Sequence, residues 1–406
     1  MPAPSTSPGS ERVLLVQRSS APDGSAHSGL LLANGLREAG WEVHVAFGHD
    51  GAMVERYETA GHATHVVRHD NWLRRERTHQ FLKDGWLEWR RARAFTALVD
   101  DVTPRLVYVN TVVSLAGAVA ARRAGLPCIW HLREMFADVG GEMHAPRWAR
   151  PLVRRLVRAH ADRLVANSAA TARNLLGHAF DGGEIVPNAV RAAFFEDERT
   201  PQEARRHLGL QGSSPLIGVP GTLRPMKGHP FFLKAVAPLL RDRNLRVAVT
   251  GEGASDFAER LKATSQSLGI QDQVIFLGWV DDMPGFYRAC DLACIPSRAE
   301  PFGRTAIEAF AVGTPVVATA VGGLREIVTD ETTGLLVPYG HVEALTDALR
   351  RLLDTPQLRQ KMKQNARKTA AEDYHERVYK RRIRTLVAEV EGRGADTRSE
   401  NCRQAP

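Results

Sequence analysis

Cysteine is scarce in this chain, and its scarcity excludes a disulfide framework. The four cysteines, Cys128, Cys290, Cys294 and Cys402, are scattered over 406 residues, too few and too dispersed to staple a small secreted fold. Cys290 and Cys294 are spaced like helix neighbours but have no cysteine or histidine partners nearby. Buried structural roles are expected for them, and a metal site is not. Aromatic residues make up only 7% of the chain. No apolar run reaches the roughly eighteen residues that a membrane-crossing helix needs. The first eleven residues, MPAPSTSPGSE, lack both a basic start and an apolar stretch, so they read as a disordered leader rather than a signal peptide. These absences predict a cytoplasmic protein, at most peripheral at the inner membrane face.

What is present is an ordinary globular composition, 43% hydrophobic and 25% charged, with enough apolar content for two domains. Short apolar runs alternate with helical patterns along the whole chain. Strands are expected at RVLLVQR (12–18), Trp41 to Phe47, LVYV (106–109), PCIWH (127–131), RLVAN (163–167) and Glu184 to Pro187. A second series follows at Leu216 to Val219, Leu245 to Thr250, Val274 to Leu277, Leu292 to Ile295 and Pro315 to Ala320. Helices are expected at Gly29 to Ala39, after a polar loop from Ala21 to Ser28, and at Ser114 to Ala124, Pro230 to Leu240, Val342 to Leu353 and Pro356 to Glu372. That alternation predicts an α/β chain of two Rossmann-like, doubly wound domains facing a central cleft. The least patterned join is Arg191 to Ser214. It separates an N-terminal domain, 12–195, from a C-terminal domain, 213–373, and the polar residues 392–406 read as a disordered tail.

The net charge is +8, carried by arginine clusters at 74–77, 90–93 and 147–163. In the last, RWARPLVRRLVRAHADR, apolar residues recur among arginines at helical spacing. It fits an anionic membrane surface or an acidic acceptor. It fits equally a helix packing its apolar stripe on the core with a solvated basic face. No aromatic-basic motif of a nucleic-acid binder accompanies the charge, so no nucleic-acid partner is expected.

The most informative stretch runs from Cys294 to Pro338, CIPSRAEPFGRTAIEAFAVGTPVVATAVGGLREIVTDETTGLLVP. A buried strand ends at Ile295, a turn-rich loop follows, and a helix starts near Thr305 with Gly313 as its C-terminal cap. Gly303 leaves the backbone open just ahead of that helix, whose first N–H groups are unpaired and carry partial positive charge. An anion such as a diphosphate fits there. Glu300 before the helix and Glu308 inside it would repel phosphate but accept from hydroxyls. Phosphate in the middle and hydroxyls on both sides describe a nucleotide sugar. A lone Glu-x7-Glu would be nothing more than an ordinary helix start, with dipole interactions favouring a glutamate in the first turn.

The whole string resembles the donor-site signature of the family-4 retaining glycosyltransferases, which have the GT-B fold. PS-x-x-E-x-F-G, E-A-x-A-x-G-x-PVVA and GG-x-x-E-I-V fall in register. LLLANGLREAGWEVHVA, VANSAATARNLL with IVPNAV, and FLGWVDDMPGFYRACDLACIPS extend the likeness over about residues 12 to 385. In that fold a last helix, here about 374–391, crosses back to complete the first domain. The resemblance implies a retaining, metal-independent glycosyltransferase with no cofactor beyond its nucleotide-sugar co-substrate. The donor would be a UDP-sugar or GDP-mannose, and the acceptor a glycan, a lipid-linked glycan or a small-molecule hydroxyl.

The same resemblance distributes roles. Lys227 and Arg224 in GVPGTLRPMKGH, with Gly221, would clamp the diphosphate, although Thr222 stands where the family has an arginine. Glu300 would hold the sugar hydroxyls and Glu308 the ribose. Phe302, Gly303, Arg304 and Thr305 would line the donor site, and Trp279 would sit by the base. His131, ending the strand in WHLREMF, matches the family's active-site histidine, and Arg133 and Glu134 follow it. On the acceptor side only Gly24 of Asp23-Gly24 matches a Gly-Gly pair. Two rival functions share parts of this pattern: a nucleotide-sugar epimerase or hydrolase on the same scaffold, and a non-catalytic basic adaptor.

Overall fold

A computed structural model of the chain describes residues 11–21, 24–74, 76–136, 143–177, 180, 183–210 and 212–403, with side chains as far as Val390. The expected leader, apart from Glu11, and Asp23 lie outside the described residues. The chain divides into two compact units. Of the described residues, the first holds those up to Asn188 and those from Arg377 on, and the second holds those from Ala189 to Glu376.

The first unit is built on a seven-stranded sheet in the order β3-β2-β1-β4-β5-β6-β7. Its strands are β1 Arg12–Gln17, β2 Glu42–Phe47, β3 Ala63–Val66, β4 Leu106–Val109, β5 Cys128–Leu132, β6 Arg163–Ala166 and β7 Glu184–Ile185. The second unit has six: β8 Leu216–Val219, β9 Arg246–Thr250, β10 Val274–Gly278, β11 Leu292–Ile295, β12 Val316–Thr319 and β13 Gly334–Val337, in the order β10-β9-β8-β11-β12-β13. Neighbouring strands pair in parallel throughout both sheets. Counted from its own first strand, the second sheet has the doubly wound order 3-2-1-4-5-6 and the first the same order with a seventh strand added at its edge, so the winding reverses between β1 and β4 and again between β8 and β11.

The strands form where the sequence is apolar without alternation, because helices cover both faces of a parallel sheet. β4, β5, β8, β11 and β12 are buried at every position. Cys128, Cys290 and Cys294 are buried free thiols, and burial pushes each of them up, out of reach of thiolate chemistry. No helix among the described residues is long and apolar enough to cross a membrane.

Three expectations need correction. The join at 191–214 contains helices Ala193–Glu196 and Pro201–His207. Phe194, Ala204 and Leu210 from it are buried in the core of the second unit, and Thr200 and Glu203 form a capping box at the second helix. The polar loop expected over Ala21 to Ser28 is helical from Gly24, because Ala26 and Ser28 are buried and the Ala26 carbonyl accepts from Tyr57 Oη at 2.9 Å. Residues 392–403 of the polar tail are the end of a helix that runs from Glu376 to Arg403, in which no proline falls. The long helix Thr78–Val102 was not anticipated at all.

Candidate functional site

In doubly wound sheets ligands sit beyond the strand carboxyl ends at the reversal point, and in each unit a group of buried polar residues follows the strands that flank it. In the second unit β8 runs into a loop at Gly221, and a short 3-10 turn, Pro225–Lys227, follows. Arg298 N–H donates to the Met226 carbonyl at 2.7 Å, which ties this turn to the loop after β11. Lys227 Nζ thereby comes within 2.7 Å of Glu300 Oε2, and Ser297 Oγ donates to the same oxygen at 3.3 Å. Glu300 is buried, and Arg224 on the same loop is exposed.

The backbone around Glu300 is packed too closely for side chains. Gly322 has φ 48°, and a Cβ there would lie 1.9 Å from the Glu300 carbonyl oxygen. Gly323 N–H donates to that same oxygen at 2.9 Å. Gly303 caps helix Arg304–Val312 with φ 116°, a conformation that glycine supplies at no steric cost. Gly251, in the loop after β9, lies against Gly221, where its Cβ would be 2.3 Å from the Gly221 carbonyl oxygen. The tight approach of that Gly-Glu-Gly loop was not assigned from the sequence, where two spaced glycines are a weak signal.

One turn into the helix, Glu308 is already engaged. Arg304 Nη2 donates to its Oε1 at 3.0 Å, and Tyr287 Oη donates to its Oε2 at 3.1 Å. Burial, and then the Glu308 charge, push the Tyr287 phenol well up, so it stays a donor. Thr305 is half-buried on the same turn. Phe302 turns its ring into the core, edge-to-face with Tyr374 at 6.1 Å, so what it offers a ligand is backbone. Trp279 is 44% exposed and donates from Nε1 to Asp281 Oδ1 at 2.9 Å. It is not a core tryptophan. Among the described residues no group of three or more His, Cys, Asp or Glu is placed to hold a metal ion.

The first unit carries a separate buried network on β1, β4 and β5. His131 is fully buried; burial and then the Arg133 charge push its imidazole well down, so the ring is neutral. Tyr108 Oη lies 2.9 Å and Arg133 Nη2 3.4 Å from His131 Nδ1. A guanidinium can only donate, so Nδ1 is the lone-pair nitrogen and the proton sits on Nε2. That Nε2 is buried and has no protein partner among the described residues.

Arg133 is held by its whole fork. Nε donates to Asn110 Oδ1 at 2.7 Å, Nη1 to Asn188 Oδ1 at 2.5 Å and Nη2 to Tyr379 Oη at 3.2 Å. Asn110 in turn donates to Gln17 Oε1 at 2.7 Å. Glu134 accepts from Thr111 Oγ1 and from Val112 N–H, the latter at 3.1 Å, so it braces the loop after β4. Gly24 opens helix Gly24–Glu38. Gln17, Tyr108, Asn110, Asn188 and Tyr379 were not found from the sequence. Gln17 and Asn110 lie at strand ends, Tyr108 inside β4, Asn188 in a loop and Tyr379 on helix Glu376–Arg403, and only the fold brings them together. The structure thus groups Gly221, Arg224, Lys227, Glu300, Gly303, Arg304, Thr305 and Glu308 in the second unit, and Gly24, His131, Arg133 and Glu134 in the first.

Two parallel doubly wound units, one with a cation and a helix start at its reversal point, define a protein of the Rossmann-like α/β class. Residues 201–369 match the family model of the glycosyl transferases group 1, and residues 24–189 match that of the glycosyl transferase 4-like domain. The chain belongs to the group 1 glycosyltransferases, with a 4-like N-terminal domain and the GT-B fold. It is 37% identical over 281 residues to a D-inositol 3-phosphate glycosyltransferase of Salinispora arenicola, a match covering 63% of this chain and 62% of the relative. A protein of the same description from Geodermatophilus obscurus is 40% identical over 214 residues, covering 48% of this chain and 46% of that one. The chain spans about three fifths of the length of the first of these curated relatives. Among solved structures, Anabaena HepE in complex with UDP and glucose superposes with a TM-score of 0.79 at 22% identity, covering 93% of this chain and 99% of that one. A glycosyltransferase from Rickettsia africae gives 0.80 at 17% identity, covering 94% and 99%. At these identities the structural likeness is one of fold.

Proposed function

We propose that this protein is a retaining glycosyltransferase that moves a sugar from a nucleoside-diphosphate sugar to a hydroxyl acceptor without a metal. The observation that carries this reading is the Lys227–Glu300 pair, 2.7 Å apart, beside the glycine-capped start of helix Arg304–Val312. Lysine has three protons on Nζ and uses one on Glu300. The other two, Arg224 and the helix N–H groups can take up the charge that develops on the diphosphate as the glycosidic bond breaks. Glu300 then offers its carboxylate to sugar hydroxyls, and the Arg304–Glu308 pair serves the ribose. Reaction on one sugar face, with the departing phosphate helping to deprotonate the acceptor, needs no carboxylate nucleophile. In the first unit His131, with its proton on Nε2, acts as a hydrogen-bond donor to a hydroxyl oxygen and not as a general base.

The donor is a UDP-sugar or GDP-mannose. Because Anabaena HepE was solved with UDP and glucose, UDP-glucose is the first donor to try. The acceptor is a glycan, a lipid-linked glycan or a small molecule. Relatives named for D-inositol 3-phosphate make a phosphorylated polyol the first small acceptor to try. Calorimetric titration with UDP, UDP-glucose and GDP-mannose, followed by proton NMR of the product anomer, tests the proposal. Expected are micromolar-range uptake of one nucleotide, product formation only with acceptor present, retained configuration, and full activity in chelator. Turnover of donor without acceptor would mark an epimerase or hydrolase. No nucleotide uptake at all would sink the reading.

A further inference from the structure

Helix Thr78–Val102 has two apolar stripes, and folding accounts for only one. Phe81, Ala92, Phe95, Leu98 and Val99 face the core. On the other side Leu82, Trp86 and Trp89, spaced i, i+4, i+7, are 53%, 53% and 50% exposed. Trp148, 55% exposed, extends this stripe, since its Nε1 donates to Thr78 Oγ1 at 3.3 Å and its ring meets Phe81 edge-on at 6.1 Å. Leu152, one turn further along, is 44% exposed. Large exposed apolar patches mark interaction sites, and tryptophan is the side chain that favours a membrane interface.

Along the stripe the exposed charge is of one sign, and Glu76, an exposed acid at its Trp148 end, is paired with His144 at 3.4 Å. Over residues 78–97 the only carboxylates, Asp84 and Glu88, are buried and paired with Arg74 and Arg91. Residues 115–124 and 147–160 contain no carboxylate at all. Lys83, Arg90, Arg93, Arg122, Arg123, Arg147 and Arg155 are exposed. Two arginines lie directly on the stripe: Arg90 stands 4.7 Å over the Trp86 ring and Arg123 4.9 Å over the Trp89 ring. Those ring faces are therefore taken, which argues against base stacking as the use of the tryptophans.

We propose that this face of the first unit docks on an anionic lipid bilayer, with Leu82, Trp86, Trp89, Trp148 and Leu152 at the headgroup–acyl boundary and the surrounding guanidinium groups on lipid phosphates. Charge complementarity selects the occupant: a surface of apolar rings ringed by cations, with no exposed carboxylate on residues 78–97, 115–124 or 147–160, matches a phosphatidylglycerol-type leaflet. Helix Arg150–Ala159 contributes its edge and not its whole length. Its Val153 and Val157 are buried, and Arg154 and Arg158 donate to the carbonyls of Leu175 and Leu176 at 2.8 and 3.2 Å. The inference does not depend on the transfer reaction.

The test is co-sedimentation of the full chain with vesicles of phosphatidylcholine, alone or with phosphatidylglycerol. Binding is expected only to the anionic vesicles. The Trp86→Ala/Trp89→Ala pair should lower partitioning roughly ten-fold or more, and Arg155→Glu or Arg147→Glu by about five-fold or more each. Brominated lipid should quench the tryptophan fluorescence of the natural protein and far less that of the pair. Circular dichroism and melting of each variant establish that it is folded, and the arginine variants decide the matter if the tryptophan pair is not. No binding to anionic vesicles, or binding that the folded variants leave unchanged, overturns the proposal. So does equal binding to polyglutamate or duplex DNA that the same variants abolish.

Discussion

The Lys227–Glu300 pair makes a prediction that separates its structural role from its chemical one. Lys227 is 21% exposed in its side chain and Glu300 only 9%, so the two single substitutions leave unequal defects. Lys227→Ala strands a carboxylate whose remaining side-chain donor is Ser297 Oγ at 3.3 Å. Breaking a fully buried pair costs about 3–5 kcal/mol. Water reaches the lysine side of this one, so about 2–3 kcal/mol is expected. Glu300→Gln keeps the volume and gives Lys227 a neutral acceptor, at about 1 kcal/mol. Independent effects would sum to about 3–4 kcal/mol, whereas the double variant, with no stranded charge, should lose about 1.5–2.5 kcal/mol, a coupling of about 1–2 kcal/mol. Urea unfolding of the four proteins measures this. UDP titration of the same set reads the chemistry. Lys227→Ala should weaken UDP roughly ten- to a hundred-fold through lost charge-assisted hydrogen bonds. Glu300→Gln should leave UDP binding nearly intact while abolishing transfer. Effects on stability that add within about 0.5 kcal/mol, or unchanged UDP affinity in Lys227→Ala, would refute the reasoning.

Three further outcomes follow from the geometry. Gly322→Ala, whose Cβ would lie 1.9 Å from a backbone oxygen, should lose more than about 3 kcal/mol, whereas Gly340→Ala, with φ 90° and open space around it, should lose only the roughly 1–2 kcal/mol of left-handed strain; urea midpoints compare them. Burial, and then the Lys227 charge, push the His229 imidazole down to about 4. The unfolded chain therefore binds a proton that the native chain refuses, so this group's contribution to stability is full above about pH 6.5 and falls by about 1.4 kcal/mol per unit from there to pH 4. His229→Gln should flatten that slope in urea titrations across pH. Arg133→Lys should destabilise the first unit by about 2–4 kcal/mol, because an ammonium cannot reproduce three bonds made by a planar fork; thermal melting and proteolysis of the Glu376–Arg403 helix report it.

Edge strands β3 Ala63–Val66, partly exposed along its length, and β13 Gly334–Val337 were missed, whereas the other strands of both sheets were legible as short, mostly buried apolar runs. Helix Thr78–Val102 was not, for a physical reason. Its core stripe is diluted by Asp84 and Glu88, buried on the same side and paired with Arg74 and Arg91, while its outer face carries leucine and tryptophan. Two stripes of similar hydropathy cancel in a periodicity reading. Linker residues 191–214 looked unpatterned because their helices are only four and seven residues long, too short to show a period. Lys227, Glu300 and Gly303 stood out because glycines and charges crowd into single loops there, and the structure places Lys227 against Glu300 and Gly303 at the helix start.

The network around Arg133 was illegible because its members come from five separated segments, yet its position follows a rule that the sequence already contains. Gln17 ends β1, Asn110 follows β4, and His131 lies near the end of β5. In the second unit Thr250 ends β9, and Gly221, Ser297 and Glu300 follow β8 and β11. At the carboxyl end of a parallel strand the last carbonyls and the next helix start leave backbone groups to be satisfied, and covering helices no longer bury the chain on both sides. Polar side chains are tolerated there, and would be costly a few residues earlier in the strand. A polar residue one to five positions past an unbroken apolar run, in a chain of alternating strand and helix patterns, therefore carries more information than its identity alone. Applied to β4, that rule selects Asn110. Asn110→Leu, close in volume but without polar atoms, should destabilise the first unit by about 2–3 kcal/mol, because it leaves Arg133 Nε and Gln17 Oε1 unsatisfied. An equally stable Asn110→Leu protein would mean that the network is filled by water and that strand-end polarity has no structural claim here.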